Sequence, residues 1–205
     1  MTIVKNEKSR GRPRAFDRET AVGQAMEVFW AQGYEGASMP LLTKAMGISA
    51  QSLYAAYGSK QALYREAMER YRTTIGGFGQ RALEEEGDAL QAIVRLLRDA
   101  AITFSEALDQ PGCMITTAPA GIADDELILY GRQLRTNSRD MVCRRLERGI
   151  EDGQLLADTD CAAWARYVSG IVQGMSVQAR DGETRSGLLS IAEIAAGALE
   201  ALRKS

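Results

Sequence analysis

A chain of 205 residues with 45% hydrophobic and 25% charged residues has ordinary globular composition, which excludes a collagen-like chain and argues against a disordered one. It contains no histidine, so a Ser-His-Asp or Cys-His nucleophile pair is impossible, as is any metal site that needs imidazole. The formal net charge of −2 is unevenly placed: residues 1–72 carry 11 Lys/Arg against 7 Asp/Glu, and residues 73–205 carry 14 against 20. Positive charge is densest at the start, where Lys5, Lys8, Arg10, Arg12, Arg14 and Arg18 crowd into the first twenty residues. Residues 1–14 read as a basic flexible arm suited to a polyanion.

Residues 15–60 read as three short helices. Asp17 caps a first helix whose apolar face is Ala21, Ala25, Val28 and Phe29, and Gly33 ends it in a left-handed conformation. Ser38 caps a second helix with Pro40 in its first turn, where a missing N–H costs little. Gly47 stops that helix after about two turns, at a sharp turn needing positive φ. Ser49 caps a third helix, Ala50–Tyr57, which Gly58 stops. Leu53 and Tyr57 turn one face of it inward. Gln51, Ser52, Ala55 and the Tyr54 hydroxyl are left on the other, a short polar face with no carboxylate to repel phosphate.

Helix, glycine turn and helix in this order form a helix-turn-helix, which sets such a face in the DNA major groove. Gln51 suits adenine N6/N7, and Ala50, Ala55 and Ala56 suit a thymine methyl. Ser52, Tyr54, Tyr57 and Lys60 suit phosphate oxygens, and Ser38, Lys44 and Ser49 complete the expected set with the arm residues Arg10, Arg12 and Arg14.

The segment "GRPRAFD…AMEVFWAQGYEGASMPLLTKAMGISAQSLYAAYGSKQALYREAMERY" resembles the N-terminal domain of the TetR/AcrR family of transcriptional regulators. Phe29, Gly33-Tyr34, Ala37-Ser38, Ala45 to Ser49, Leu53-Tyr54, Tyr57 and Ser59-Lys60-Leu63 carry the likeness, over about residues 11–72. Pro40 departs from the usual pattern, harmlessly at its first-turn position. The resemblance implies a two-fold dimer, an all-helical core and a C-terminal domain that responds to a small molecule. By position it places the recognition helix at Ala50–Tyr57, with Tyr54 and Lys60 on phosphates.

Beyond Ser59 a long helix runs from Lys60 to about Ile75, with residues 61–75 linking the head to a body at 76–205. "GGFG" at Gly76–Gly79 reads as a hinge, since it lacks the spacing and preceding strand of a phosphate cradle. Asp88–Leu108 is an amphipathic helix, and Cys113–Ala123 a short buried helix plus loop. Asp124 or Asp125 caps a long helix to about Asp152, with Leu127, Tyr130, Leu134, Met141, Val142, Leu146 and Ile150 inward. Arg132, Arg135, Arg139, Arg144, Arg145 and Arg148 form its solvated side. Asp158-Thr159-Asp160 opens another helix as a cap, not a calcium loop. Tyr167–Ala179 has no charge and reads as buried on several sides. "DGETRSG" is a loop, and Leu188–Leu202 a last helix. No strand signal and no repeat is present.

The fold class is therefore all-α: a three-helix helix-turn-helix domain followed by a helical ligand-binding and dimerisation domain. The last two helices, through Tyr167, Gly170, Gly174, Gln178, Leu188, Ile191, Ala195 and Leu199, are expected to form half of an intermolecular four-helix bundle. Leu97, Ala101, Phe104, Cys113, Met114, Met141, Trp164, Val168, Ile171 and Met175 are expected to line a pocket, each with ordinary core as the plainer reading. Polar groups available there are Thr116, Thr117, Tyr130, Gln133 and Gln173, so an apolar or aromatic ligand is expected.

Cys113, Cys143 and Cys161 make neither a disulfide framework nor a metal knuckle, and packing or pocket lining is preferred to redox sensing for Cys113. With no metal, no cofactor, no apolar run of about 18 residues and no signal peptide in view, the expected location is cytoplasmic. The function expected is a homodimeric repressor of a palindromic double-stranded operator, released by a small effector. The alternatives are a ligand-independent architectural DNA-binding protein and an all-helical enzyme acting on a small apolar molecule.

Overall fold

The computed structural model describes residues 17–106, 110–117 and 122–204. Among the described residues there are ten α-helices and no strand; Leu155 and Arg203 make one isolated antiparallel bridge. None of the described helices is long and apolar enough to cross a membrane.

In the head, α1 (Arg18–Gly36), α2 (Met39–Met46), α3 (Ala50–Tyr57) and α4 (Lys60–Thr73) begin at side-chain caps. Asp17, Ser38, Ser49 and Ser59 each accept an N–H of the first turn, which satisfies a donor the helix itself leaves open. Gly47 ends α2 at φ 64°, ψ 26°. The first helix differs from expectation. It continues to Gly36 across a break at Gly33, where φ 68° and ψ 176° lie outside the left-handed helical region.

The body is built on α6 (Ala89–Glu106), which packs against α5 (Phe78–Glu85), α8 (Asp125–Glu151), α9 (Cys161–Arg180) and α10 (Arg185–Leu199). Leu90, Ile93, Leu97, Ala101 and Phe104 of α6 are fully buried. Leu108, once expected in this helix, lies outside the described residues. Asp124 and Asp160 cap α8 and α9.

Three features correct the sequence reading. The glycines after α4 do not open a free hinge: Ile75–Gly77 forms a 3-10 turn that passes directly into α5, a helix not expected from the pattern. A Cβ on Gly76 would lie 2.6 Å from the Tyr71 ring, so glycine is there for close approach. The last helix starts earlier, at Arg185, because Thr184 caps it. Arg145 is not on a solvated face; it is 7% exposed and donates from Nη2 to the carbonyls of Glu86 (3.1 Å) and Gly87 (2.8 Å). A single chain by itself leaves one side of α9 open. Gly170 and Gln178 are exposed, and Val177 is 51% exposed.

Gly149 of α8 marks a close approach to α6, since a Cβ there would lie 2.5 Å from Ala89 Cβ and 2.9 Å from Leu155 Cδ1. Gly149→Ala is expected to lower stability by about 1–3 kcal/mol through overpacking, seen as a lower urea midpoint at unchanged slope. An unchanged midpoint would mean that α6 and α8 can separate without cost.

Candidate nucleic-acid interface

The turn between α2 and α3 is fixed from both sides. Ile48 N–H donates to Thr43 O at 3.1 Å across Gly47, and Ser52 N–H donates to Ser49 Oγ at 3.1 Å. Leu42 and Leu53 are fully buried beneath it. This leaves Ala50, Gln51, Tyr54 and Ala55 outward, with Tyr54 51% exposed. No Asp or Glu occurs from Gly36 to Arg65, so α3 itself carries no carboxylate.

Other expected contacts fall into place unevenly. Ser38 and Ser49 are exposed caps, Lys44 is exposed in the last turn of α2, and the half-buried Ser52 shares a 2.9 Å hydrogen bond with Ser49. Lys60 is half-buried with its ammonium 4.4 Å from the centre of the Tyr34 ring. Burial lowers its pKa, opposed by Glu35. Tyr57 is a correction: at 5% exposure it belongs to the core, and its hydroxyl donates to Arg18 O at 3.4 Å rather than facing outward. Arg10, Arg12 and Arg14 lie outside the described residues.

Arg18, counted in the sequence only among the basic residues of the start, has a structural task. It donates to Ala56 O at 2.9 Å, pairs with Glu66 at 2.6 Å and stacks 4.5 Å above Tyr57. It ties the start of α1 to the far end of α3. The only hint in the sequence is its position beside the Asp17 cap.

The head meets the body at the start of α8. Gln61 donates to Asp124 (3.2 and 3.3 Å) and to Glu126 (3.2 Å), and Arg65 pairs with Glu126 at 3.3 Å. The Arg65 guanidinium also sits 5.0 Å from the centre of the Tyr130 ring. Tyr130 therefore belongs to this seam and not to the cavity where the sequence put it.

Within the body is a cavity of about 140 Å³, walled by the end of α4, the glycine turn, α5, α6, α7 (Met114–Thr117), α8 and α9. Of the expected pocket residues, Phe104, Cys113, Met141 and Val168 line it, together with Thr116 and Gln173. Leu97, Ala101, Met114 and Met175 are core residues away from its wall, as are the half-buried Trp164 and Ile171, and Gln133 is exposed. The Thr117 side chain lies outside the described residues. The sequence reading missed Tyr71 and Phe78, which reach the cavity from α4 and α5. Burial pushes the Tyr71 phenol well above its ordinary pKa, and the adjacent Cys113 thiol adds to the rise. Cys113 also places its backbone N–H 2.8 Å from Ser176 Oγ. Among the described residues no group of three or more His, Cys, Asp or Glu side chains is placed to hold a metal ion.

The face of α9 and α10 away from α6 is open. A Cβ on Gly170 or Gly174 would meet nothing within 4 Å, and Gln178 is exposed. Tyr167 and Ile191 are half-buried, the former edge-on to Trp164 at 5.4 Å. Leu188, Ala195 and Leu199 instead point into the chain's own core, which corrects their assignment to the outer face. Ile194, 75% exposed, and Val177 stand there in their place.

Comparison with known proteins gives this geometry relatives. The family model for bacterial regulatory proteins of the tetR family matches residues 22–67. The HTH-type transcriptional repressor ComR of Escherichia coli (strain K12) is 32% identical over 193 residues, covering 90% of each chain. The repressor BdcR of the same organism is 27% identical over 208 residues, 98% of each. Among solved structures, a cysteine mutant of the TetR family transcriptional regulator CifR, complexed with a 26 bp double-strand operator DNA, is 40% identical with a TM-score of 0.86. The match covers 91% of this chain and 99% of that one. These relatives are transcriptional regulators, not enzymes.

The local physics of α3 has a direct check. Ser49→Ala removes the cap and is expected to cost about 1 kcal/mol of stability. Gln51→Ala, at an exposed position with no hydrogen-bond partner among the described residues, is expected to stay within about 0.5 kcal/mol of the wild type. Equal losses in chemical denaturation would mean that Gln51 has a structural role.

Proposed function

The chain belongs to the TetR family of bacterial regulatory proteins, and on that premise we propose that it is a homodimeric, sequence-specific repressor released from its operator by a small effector. The observation that carries this reading is the outward, carboxylate-free surface of α3, on a chain 40% identical to a regulator solved with operator DNA. Two copies of α3 read major grooves about 34 Å apart in a palindromic site, as a two-fold dimer requires. Gln51 reads bases and Ala50 and Ala55 pack on thymine methyls. Ser38, Lys44, Ser49, Ser52, Tyr54 and Lys60 hold phosphates. Arg10, Arg12 and Arg14 in the arm at 1–14 add backbone or minor-groove contacts.

The dimer forms through the open face of α9 and α10, where Gly170 and Gly174 admit close approach and Val177 and Ile194 offer apolar area. The head at 15–60 is coupled by the helix at 61–75 to the effector-binding body at 76–205. An effector that binds the released conformation a hundredfold better than the operator-bound one supplies about 2.7 kcal/mol, enough to clear an operator. The protein works in the cytoplasm, where its DNA is.

In-vitro selection from random duplexes is expected to return a palindrome. Gln51→Ala should change the base preference at one position of each half-site, and an unchanged profile would remove Gln51 from base reading. Lys44→Ala should weaken all duplexes alike and reduce the salt dependence by about one counterion per half-site. Equal affinity for random and selected duplexes would favour an architectural DNA-binding protein instead.

A further inference from the structure

The cavity in the body is electrically lopsided. Among the described residues, three arginines reach its wall and no Asp or Glu does. Two of the three are neutralised close by: Arg72 grips Glu69 with Nε at 2.9 Å and with Nη2, and Arg139 lies 3.6 Å from Asp140. Arg135 has no carboxylate within 4.0 Å among the described residues. It is half-buried, and among the described residues its one side-chain hydrogen bond runs from Nη1 to Ile115 O at 3.3 Å. A guanidinium carries five N–H donors in a fork that matches a carboxylate. Burial lowers the Arg135 pKa and Arg132 adds repulsion, so the environment disfavours an uncompensated charge there.

The rest of the wall is mostly apolar. Phe78 and Phe104 meet edge to face at 5.8 Å, and Leu134, Val142 and Val168 complete the surface around them. The volume of about 140 Å³ is close to that of cavities of ~150 Å³ that take up benzene. A ligand must therefore be one small apolar body, and among the described residues the charge it meets without a counter-ion is positive.

We propose that this cavity binds a small apolar monocarboxylate, of about benzoate size, with its carboxylate on Arg135 and its ring or chain against Phe78 and Phe104. The proposal rests on the reading of the cavity as the effector site and names the chemical class of the effector. Arg135 also holds the Ile115 carbonyl of α7, and α7 packs on α4. A bound carboxylate competes for that guanidinium, which gives the ligand a route to the helix that enters the head.

The test is isothermal titration of the full-length protein with benzoate and with benzamide, its neutral isostere, extended to phenylacetate and hexanoate. Benzoate is expected to bind about tenfold or more tighter than benzamide, because a charge-assisted pair replaces a neutral one. Arg135→Gln should bring the two within about twofold, while Arg135→Lys, which keeps the charge, should retain a preference for benzoate. Benzamide binding as tightly as benzoate, a benzoate preference that survives Arg135→Gln, or no binding by any of the three carboxylates would each overturn the proposal. Operator binding by the unliganded protein is measured separately. Its absence would sink the repressor reading, whereas an Arg135-dependent preference for benzoate would still establish the anion site.

Discussion

One helix serves two cores. The inner face of α4, with Leu63, Tyr64, Ala67, Met68 and Tyr71, is buried along its whole length. Its first half holds the head together: Tyr64 meets Phe29 at 5.0 Å and Tyr34 at 5.1 Å, both edge to face. Its last turn places Tyr71 edge-on to Trp30 at 4.9 Å, and the same Tyr71 lines the cavity of the body. Such aromatic pairs contribute about 0.5–1.5 kcal/mol each beyond their burial. A shift of Tyr71 is thus felt at Trp30, inside the packing that positions α2 and α3. The link expected from the sequence as a spacer is in fact a shared wall, which is why occupancy of the cavity can bear on the head.

The seam is also electrostatic. Residues 73–205 are net negative, whereas the positive excess of residues 1–72 lies in the arm at 1–14. The acidic residues of the body that approach the head, Asp124 and Glu126, are engaged by Gln61 and Arg65 on the flank of α4. Glu35, the nearest carboxylate before α2, accepts the Ala123 N–H at 3.3 Å. Asp124, Glu126 and Glu35 thus meet at the joint, and α3 itself carries no carboxylate.

What the sequence revealed was local. The caps at Ser38, Ser49, Asp124 and Asp160 were legible because each is a hydrogen bond within three residues of its own position. The outward side of α3 was legible because Leu53 and Tyr57 fix the inward one. Tyr57 was misjudged for the same reason a short helix is always ambiguous: its hydroxyl suggested the surface while its ring belonged below. The α5 helix escaped notice because only Phe78, Ala82 and Leu83 are buried along its eight residues and glycines precede them. Arg145 escaped because the carbonyls that hold it, Glu86 and Gly87, are far away in sequence. The cavity was least legible. Periodicity marks inward faces, but a void is where inward side chains fail to meet, and that depends on how six helices cross. Phe104 and Val168 reach the void while Leu97 and Met175, on the same helices, do not.

The central claim is that a carboxylate-free α3 surface, presented twice by a paired body, lies in the major groove of a two-fold site. Hydroxyl-radical footprinting of the full-length protein on its best selected duplex tests it most directly. The account predicts two protected patches on one side of the duplex, centred about 34 Å apart. A single patch, or faint protection spread evenly along the duplex, would contradict it.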